Sequence, residues 1–210
     1  MESKDVLLKN ELKRAGTFLF VGVAQFAIFL IVAEALFPNY SVSGNYISDL
    51  GAICHRPPAP ENGCVFIQPT SNIFNSSIIV LGIFLLISAY FLFRSKVSRI
   101  IPIMAILSAI GSIGVGIFTE ATGIVHGIFS LITFVSIGIF AIVAYRIQLS
   151  PMKYFSIISG AITLFALVLY INNIYLGLGM GGMERMIVYP VMVWSLAFSG
   201  HLMAIDRFKS

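Results

Sequence analysis

Charge is what this chain has least of. Only 10% of its 210 residues are Asp, Glu, Lys or Arg, against about 25% in soluble domains. With 58% hydrophobic residues and a mean hydropathy of +0.96, an ordinary soluble domain is excluded. No low-complexity linker or composition shift interrupts the chain, so residues 1–210 read as one domain. No removable leader is expected: Met1–Arg14 is charged throughout, the apolar run behind it is too long for a signal core, and no small-residue cleavage site follows. The first helix is expected to stay as an anchor. There is no HExxH helix, no nucleophile elbow and no phosphatase signature, so no familiar catalytic class announces itself. Polar residues at the middle of the apolar runs are nearly absent, which argues against a transporter.

What the chain does have is six apolar runs: Ala15–Phe37, Asn75–Phe93, Ile100–Phe118, Gly123–Tyr145, Tyr154–Tyr175 and Ile187–Ile205. Each approaches or exceeds the roughly 20 residues that cross a ~30 Å hydrocarbon core as a helix. A barrel would need short alternating strands, and these runs are continuous. The expectation is an all-α, six-helix transmembrane bundle. Lys4, Lys9, Lys13, Arg14, Arg94, Lys96, Arg99, Arg146, Lys153, Arg207 and Lys209 all fall on one side of it, eleven of thirteen basic residues. The inside-positive bias makes that side, and both termini, cytoplasmic in a multi-pass protein of the cell membrane. The sequence pI near 9.2 reflects this asymmetry rather than a nucleic-acid footprint, because the charges are spread over short loops. Arg56 and Arg185 are the exceptions. Arg56, beside prolines, reads as solvated.

Both cysteines, Cys54 and Cys64, lie in the long outer loop 38–70. An oxidising compartment favours a disulfide, and a ring this short would stabilise by about 2–3 kcal/mol on the chain-entropy estimate. The rival is a metal site from Cys54, His55 and Cys64, which lacks a fourth ligand. Loops 94–99, 146–151 and 119–122 are short, so consecutive helices should be antiparallel neighbours. Pro102, Pro151 and Pro190 read as early helix positions, where a missing N–H costs little. Ser108, Ser112 and Gly116, with Gly111 and Gly114, and then Gly123 and Gly127, form small-residue stripes. Stripes of this kind let helices approach closely, within the bundle, in a homo-oligomer or against a protein partner.

The polar residues collect at the outer level from four separated stretches: Glu34, Asn45, Asp49, Asn72, Asn75, Glu120, His126, Asn172, Asn173, Glu184 and Arg185. The densest is Gly116–His126, the end of the third helix, a tight turn and the start of the fourth. His126 should face the bundle, since an imidazole against lipid is costly. Glu120 reads either as a cap in favourable contact with a helix dipole or as a site carboxylate. In Asn45–Gly51, Ser48 and Asp49 are turn residues, while apolar Tyr46, Ile47 and Leu50 would pin the segment across the bundle mouth and direct Asp49 inward. Asn72 and Asn75, three apart at the start of the second helix, share a face and could both project into the bundle. Asn172 and Asn173 end the fifth helix. The glycine-rich stretch 177–182 reads as a loop leading into Glu184, Arg185 and Tyr189, an anion seat on free backbone N–H groups. Arg185 is expected to hold an internal carboxylate, Asp49 or Glu120, or a lipid phosphate. Glu34 is explained by snorkelling or by membership of the same cluster, and Gln25 and His201 read as structural hydrogen-bonders.

Ile47-Ser48-Asp49-Leu50-Gly51, Asn72–Asn75, Gly116-Ile117-Phe118 with Glu120 and His126, and the glycine-rich Glu184-Arg185 with Tyr189-Pro190 and Trp194 resemble the prokaryotic membrane-protein family catalogued as domain of unknown function 998. Two departures are visible: Thr119 stands where a proline is expected, and the cysteine lasso lengthens the first loop. The resemblance implies about six helices and an outer polar site, and brings no assigned substrate.

Two functions compete. In one, the outer polar face binds a lipid or a partner without chemistry, through Asn45, Asn72, Asn75, Asn172, Asn173, Glu184, Arg185 and Tyr189. In the other, a membrane-embedded hydrolase or transferase acts on a lipid or isoprenoid phosphate at the outer leaflet. Asp49, Glu120 and His126 would then be the acid–base or metal-holding set. The sequence names no cofactor. Membrane lipids are the expected partners and nucleic acid is not.

Overall fold

The computed structural model describes residues 2–55 and 57–205. Arg56, Arg207 and Lys209 lie outside the described residues, as does the side chain of Lys4.

Six α-helices carry the fold: α1 (Glu2–Leu36), α2 (Thr70–Ser95), α3 (Ile100–Ile117), α4 (Ile124–Ala144), α5 (Met152–Ile171) and α6 (Gly179–Met203). All six are long and apolar enough to cross a membrane. Each packs on its successor and α6 packs back on α1, so the helices close into a ring. An even number of antiparallel crossings puts both chain ends at one end of the bundle, the terminus face. The connections 37–69, 118–123 and 172–178 lie at the other, the loop face.

The helix ends depart from the apolar runs in a consistent way, because hydrogen-bonded helix continues through polar sequence once packing supports it. The charged stretch 2–14 is helical and extends α1 to 35 residues, about 52 Å at 1.5 Å per residue. On it, Glu11 is buried, with Arg14 at 3.6 Å and Arg94 at 3.5 Å from its carboxylate. At α6 the extension changes the reading of the sequence. Gly177 and Gly179 adopt positive φ, but Gly179–Gly182 is the first turn of the helix rather than a loop. Pro190 therefore sits well inside α6. Its absent N–H leaves Met186 O without its intrahelical donor, and at the next carbonyl Thr163 Oγ1 of α5 donates to Ile187 O at 2.8 Å, tying α5 to α6 one residue from that gap.

Three buried clusters pack the helices together, the smallest (Ala166, Leu167, Met183 and Ile187) between α5 and α6. Toward the terminus face, Trp194 packs edge-on to Phe140 and stacked on Phe198, among Leu19, Leu92 and Ile101. Trp194 Nε1 donates to Ser156 Oγ and Ser156 donates to Gln148 Oε1, each at 2.5 Å, so the indole is satisfied inside the core. Toward the loop face, Phe26, Leu30 and Phe74 meet Ile47, Leu50 and Ile53 of the long loop. Those three aliphatic residues are 4%, 1% and 0% exposed. At about 1.5–3 kcal/mol per fully buried side chain, they hold the loop across the mouth of the ring. Farther along, β1 (Ile53–Cys54) and β2 (Cys64–Val65) pair antiparallel, and Cys54 and Cys64, opposite one another in that register, form a disulfide.

The stripe on α3 is a packing device. Ser108 Oγ lies 2.9 Å from Ser136 Oγ of α4, and a Cβ on Gly111 or Gly114 would meet Thr133 or the Phe129 ring. Gly116 packs on α2 in the same way. Gly123 and Gly127 do not extend this stripe, because a Cβ at either would enter open space. Gln25 Nε2 donates to Gly22 O and Ser77 O, tying α1 to α2, and His201 Nε2 lies 3.3 Å from Ile147 O.

Candidate functional site

Beneath the long loop the ring is hollow. A cavity of ≈ 110 Å³ runs from Ile47 and Ser48 at the loop face down to Leu19, Leu85 and Ser195. From Glu184 to Ser195 along α6 is eleven residues, about 16 Å of helix rise, roughly half the ~30 Å hydrocarbon thickness. The walls are mostly aliphatic and aromatic. Three of the hydroxyls among them are quenched in place: Ser108, Ser112 and Thr133 each donate to the carbonyl four residues earlier, at 2.8–2.9 Å. They leave only acceptor lone pairs toward the space.

A second cavity of ≈ 170 Å³ lies between α4 and α5 at the loop face. Ser48, Glu120, His126, Gly127, Ser130, Leu131, Phe134, Leu167, Tyr170, Ile171 and Glu184 line it. Ser48, Ser130, Phe134 and Glu184 line both cavities, so the polar recess and the apolar hollow adjoin across these residues. Gly127, Leu131 and Ile171 are also exposed on the outside of the bundle, Leu131 by 45% and Ile171 by 58%. The rim of the recess therefore reaches the outer surface of the bundle between two membrane-spanning helices.

His126 is the third residue of α4 and 9% exposed. Its Nδ1 lies 2.8 Å from Phe118 O. A carbonyl only accepts, so Nδ1 donates, and in the neutral ring Nε2 is left as an acceptor. Among the described residues Nε2 has no hydrogen-bond partner, in a residue that lines the recess. Glu184 is 5% exposed and Oε2 accepts the Ile47 amide at 2.5 Å, so the loop backbone fixes its orientation. Tyr170 is fixed in turn by its ring contact with Tyr46, 5.8 Å between centroids. Glu120 enters from the 3₁₀ turn that joins α3 to α4.

The structure thus divides the residues singled out from the sequence. Glu120, His126 and Glu184 share the recess. Asp49 is buried at 1% as expected, yet it lines neither cavity: Oδ2 accepts from Asn45 Nδ2 and Tyr46 N, both at 2.9 Å, and turns the loop back on itself. Asn45 Oδ1 accepts the Ser41 amide, another bond within the loop. Asn75 reaches inward to donate to Gly51 O at 3.2 Å, but Asn72 is exposed and accepts from Gln68, so the two do not project together. Asn172 and Asn173 are exposed at the end of α5, bonded to Val168 O and to the Tyr175 hydroxyl. Among the described residues, no group of three or more His, Cys, Asp or Glu is placed to hold a metal ion.

Arg185 is the largest correction. Its carboxylate partner is Glu34, neither Asp49 nor Glu120: Nη2 lies 2.6 Å from Glu34 Oε1 and 2.6 Å from Tyr40 Oη. Nη1 donates to Val42 O, Asn45 O and Gly181 O at 2.8–3.1 Å. Arg185 lines neither cavity. Gly181 explains the neighbouring glycines. Its amide donates to Ser43 O at 2.9 Å, and a Cβ there would collide with Val42 O and Asn45 O, so glycine lets the loop lie directly on the helix. The glycines seat a loop rather than an anion. Tyr189, one turn beyond Arg185, packs in the loop-face cluster within electrostatic reach of Glu34 and Arg185.

Ser48, Ser130 and Tyr170 line the recess and were not among the candidates. Ser130 was within reach of the sequence, since it lies four residues from His126 on one helical face. Tyr170 at a helix end reads as interfacial belt, and nothing local distinguishes it.

Six apolar helices closed around a hollow that meets a polar recess make this a multipass membrane protein. The chain belongs to the family described as "Protein of unknown function (DUF998)", whose model matches residues 20–201, in line with the motifs quoted above. No curated protein and no solved structure matches the chain.

Proposed function

We propose that the protein binds a single-chain amphiphile from the membrane, with the head group in the recess and the hydrocarbon chain in the hollow. The adjacency of the two cavities across Ser48, Ser130, Phe134 and Glu184 carries this reading. A polar compartment adjoining a dry apolar one matches the two ends of a lipid, and binding sites of this type are mostly apolar with few placed polar groups. The rim of the recess between α4 and α5 gives a membrane lipid access without leaving the bilayer. The loop face is read as the external side, because the basic residues gather at the terminus face and the disulfide suits an oxidising compartment.

The test is lipid analysis of protein purified in mild detergent, with Ser130→Phe as the obstructed variant. The expected outcome is a tightly held single-chain lipid in the native protein, lost from Ser130→Phe while thermal melting is retained. Equal lipid content in both defeats the reading.

A second reading follows from His126 Nε2, unpartnered among the described residues, in the recess that Glu120 also lines. An imidazole and a carboxylate in one recess can exchange a proton with a bound head group, which is hydrolase or transferase chemistry. Turnover of the bound lipid by the native protein, abolished in His126→Gln with binding retained, would establish it; intact lipid after prolonged incubation would remove it.

A further inference from the structure

We infer that the occupant of the two cavities is short and straight: an unbranched medium-chain amphiphile of about a dozen non-hydrogen atoms in all, with long-chain, two-chain and isoprenoid lipids excluded by size. This rests on the lipid-binding reading above and deepens it.

Volume sets the first limit. An apolar cavity of about 150 Å³ accommodates benzene, which is about 25 Å³ per carbon. At that packing the hollow of ≈ 110 Å³ and the recess of ≈ 170 Å³ together take about eleven non-hydrogen atoms. Length sets the second. An extended chain advances about 3.5 Å for every three bonds, so the roughly 16 Å of helix rise from Glu184 to Ser195 is spanned by about thirteen bonds. The two limits agree near a dozen atoms. Past Ser195 the ring is packed solid: Trp194 and Phe198 are each 0% exposed and stacked on one another, and neither lines a cavity. Leu19 of α1 and Leu85 of α2 close the deep end from the other side. A hollow that long and that small in volume is slender, so a methyl branch has to push into close-packed walls. Size and shape alone set this selection, whatever the head group carries.

The single tryptophan makes the test direct. Trp194 is adjacent to Ser195, which lines the deep end of the hollow, so bromine at the far end of a bound chain should quench its fluorescence. The probe is an unbranched ten-carbon alcohol brominated on its last carbon, titrated into the native protein in mild detergent. Unlabelled alcohols then compete with it at equal mole fraction in the detergent: the straight ten-carbon chain, the straight sixteen-carbon chain, and the dimethyl-branched, isoprenoid-type isomer of the first. The straight ten-carbon alcohol should compete about tenfold better than either of the others, the fold-change expected when a packed interior is overfilled. Leu85→Ala removes three carbons from the wall of the deep end and should make a straight thirteen-carbon alcohol the better competitor. Leu19→Ala removes the same volume from α1 and carries the same expectation if Leu85→Ala fails to fold. A merely loosened fold would weaken every chain alike. The sixteen-carbon chain competing as well as the ten overturns the length limit, and the branched isomer doing so overturns the width limit; either leaves lipid binding standing. Absence of quenching by the probe overturns lipid binding itself, and the size selection with it.

Discussion

Arg185 of α6 and Glu34 of α1 form an ion pair of 2.6 Å whose side chains are 4% and 17% exposed. The pair joins the first and last helices of the ring and also holds Val42 O and Asn45 O, so it fixes the loop that roofs the hollow. Removing one member leaves the other charge buried, which costs about 3–5 kcal/mol in well-enclosed pairs. Glu34→Ala should fall near the low end, given its residual exposure. The measurement is a double-mutant cycle of Glu34→Ala and Arg185→Ala by denaturant unfolding in mixed micelles. A coupling of about 1–3 kcal/mol is expected; strict additivity would show that the two do not act together.

Tyr40 lies just past α1, where its hydroxyl donates to Tyr46 O and accepts from Arg185. Burial pushes its phenol above the ordinary value, with Arg185 opposing that shift. A group whose folded value is raised gives stability that is complete below the unfolded value, about pH 10 for tyrosine, and is lost as pH climbs toward the folded one. Melting temperature should therefore hold from pH 7 to 9 and decline above about pH 10. Tyr40→Phe should melt lower at neutral pH, having lost two hydrogen bonds, yet show a shallower alkaline decline. An unchanged alkaline slope in the variant would rule Tyr40 out as the titrating group.

Six helices, their antiparallel order and the polar level at one end were legible because lipid leaves so few backbone solutions and because hydrophobic length is a strong signal. Ile47 and Leu50 were legible as anchors since apolar residues inside a polar loop have to be buried somewhere. The partner of Arg185 was not, because α1 and α6 lie some 150 residues apart and only the closed ring brings Glu34 to it. Asp49 misled for a local reason: Asn45 and the Tyr46 amide satisfy it within its own turn. The hollow is invisible in sequence, since the aliphatic residues that line it are the same types that fill a solid core.

The disulfide reports on stability and on sidedness together. Cys54 and Cys64 are ten residues apart and no described cysteine is free. Replacing both by serine should cost about 2–3 kcal/mol on the chain-entropy estimate. In intact cells, a membrane-impermeant maleimide should fail to label the native protein, and should label it after external reduction. Labelling only after the cells are opened would place the loop face inside and reverse the assigned topology.

Gly181 and Gly127 are both helical glycines, and the structure sets opposite expectations for them. At Gly181 a methyl group would strike Val42 O and Asn45 O, which are backbone atoms of the seated loop and cannot swing aside. Gly181→Ala should destabilise by about 1–3 kcal/mol, as overpacking does. At Gly127 the same methyl meets nothing, so Gly127→Ala should be neutral or stabilise by up to about 1 kcal/mol through helix propensity. A larger side chain there separates packing from access. Gly127 borders the recess between α4 and α5, so Gly127→Leu should keep the native melting temperature while slowing uptake of a single-chain lipid with a brominated chain, followed by fluorescence quenching of the buried Trp194. Uptake at the native rate in Gly127→Leu would mean that lipid reaches the hollow by another route, and a lowered melting temperature would mean that the space beside Gly127 is not open.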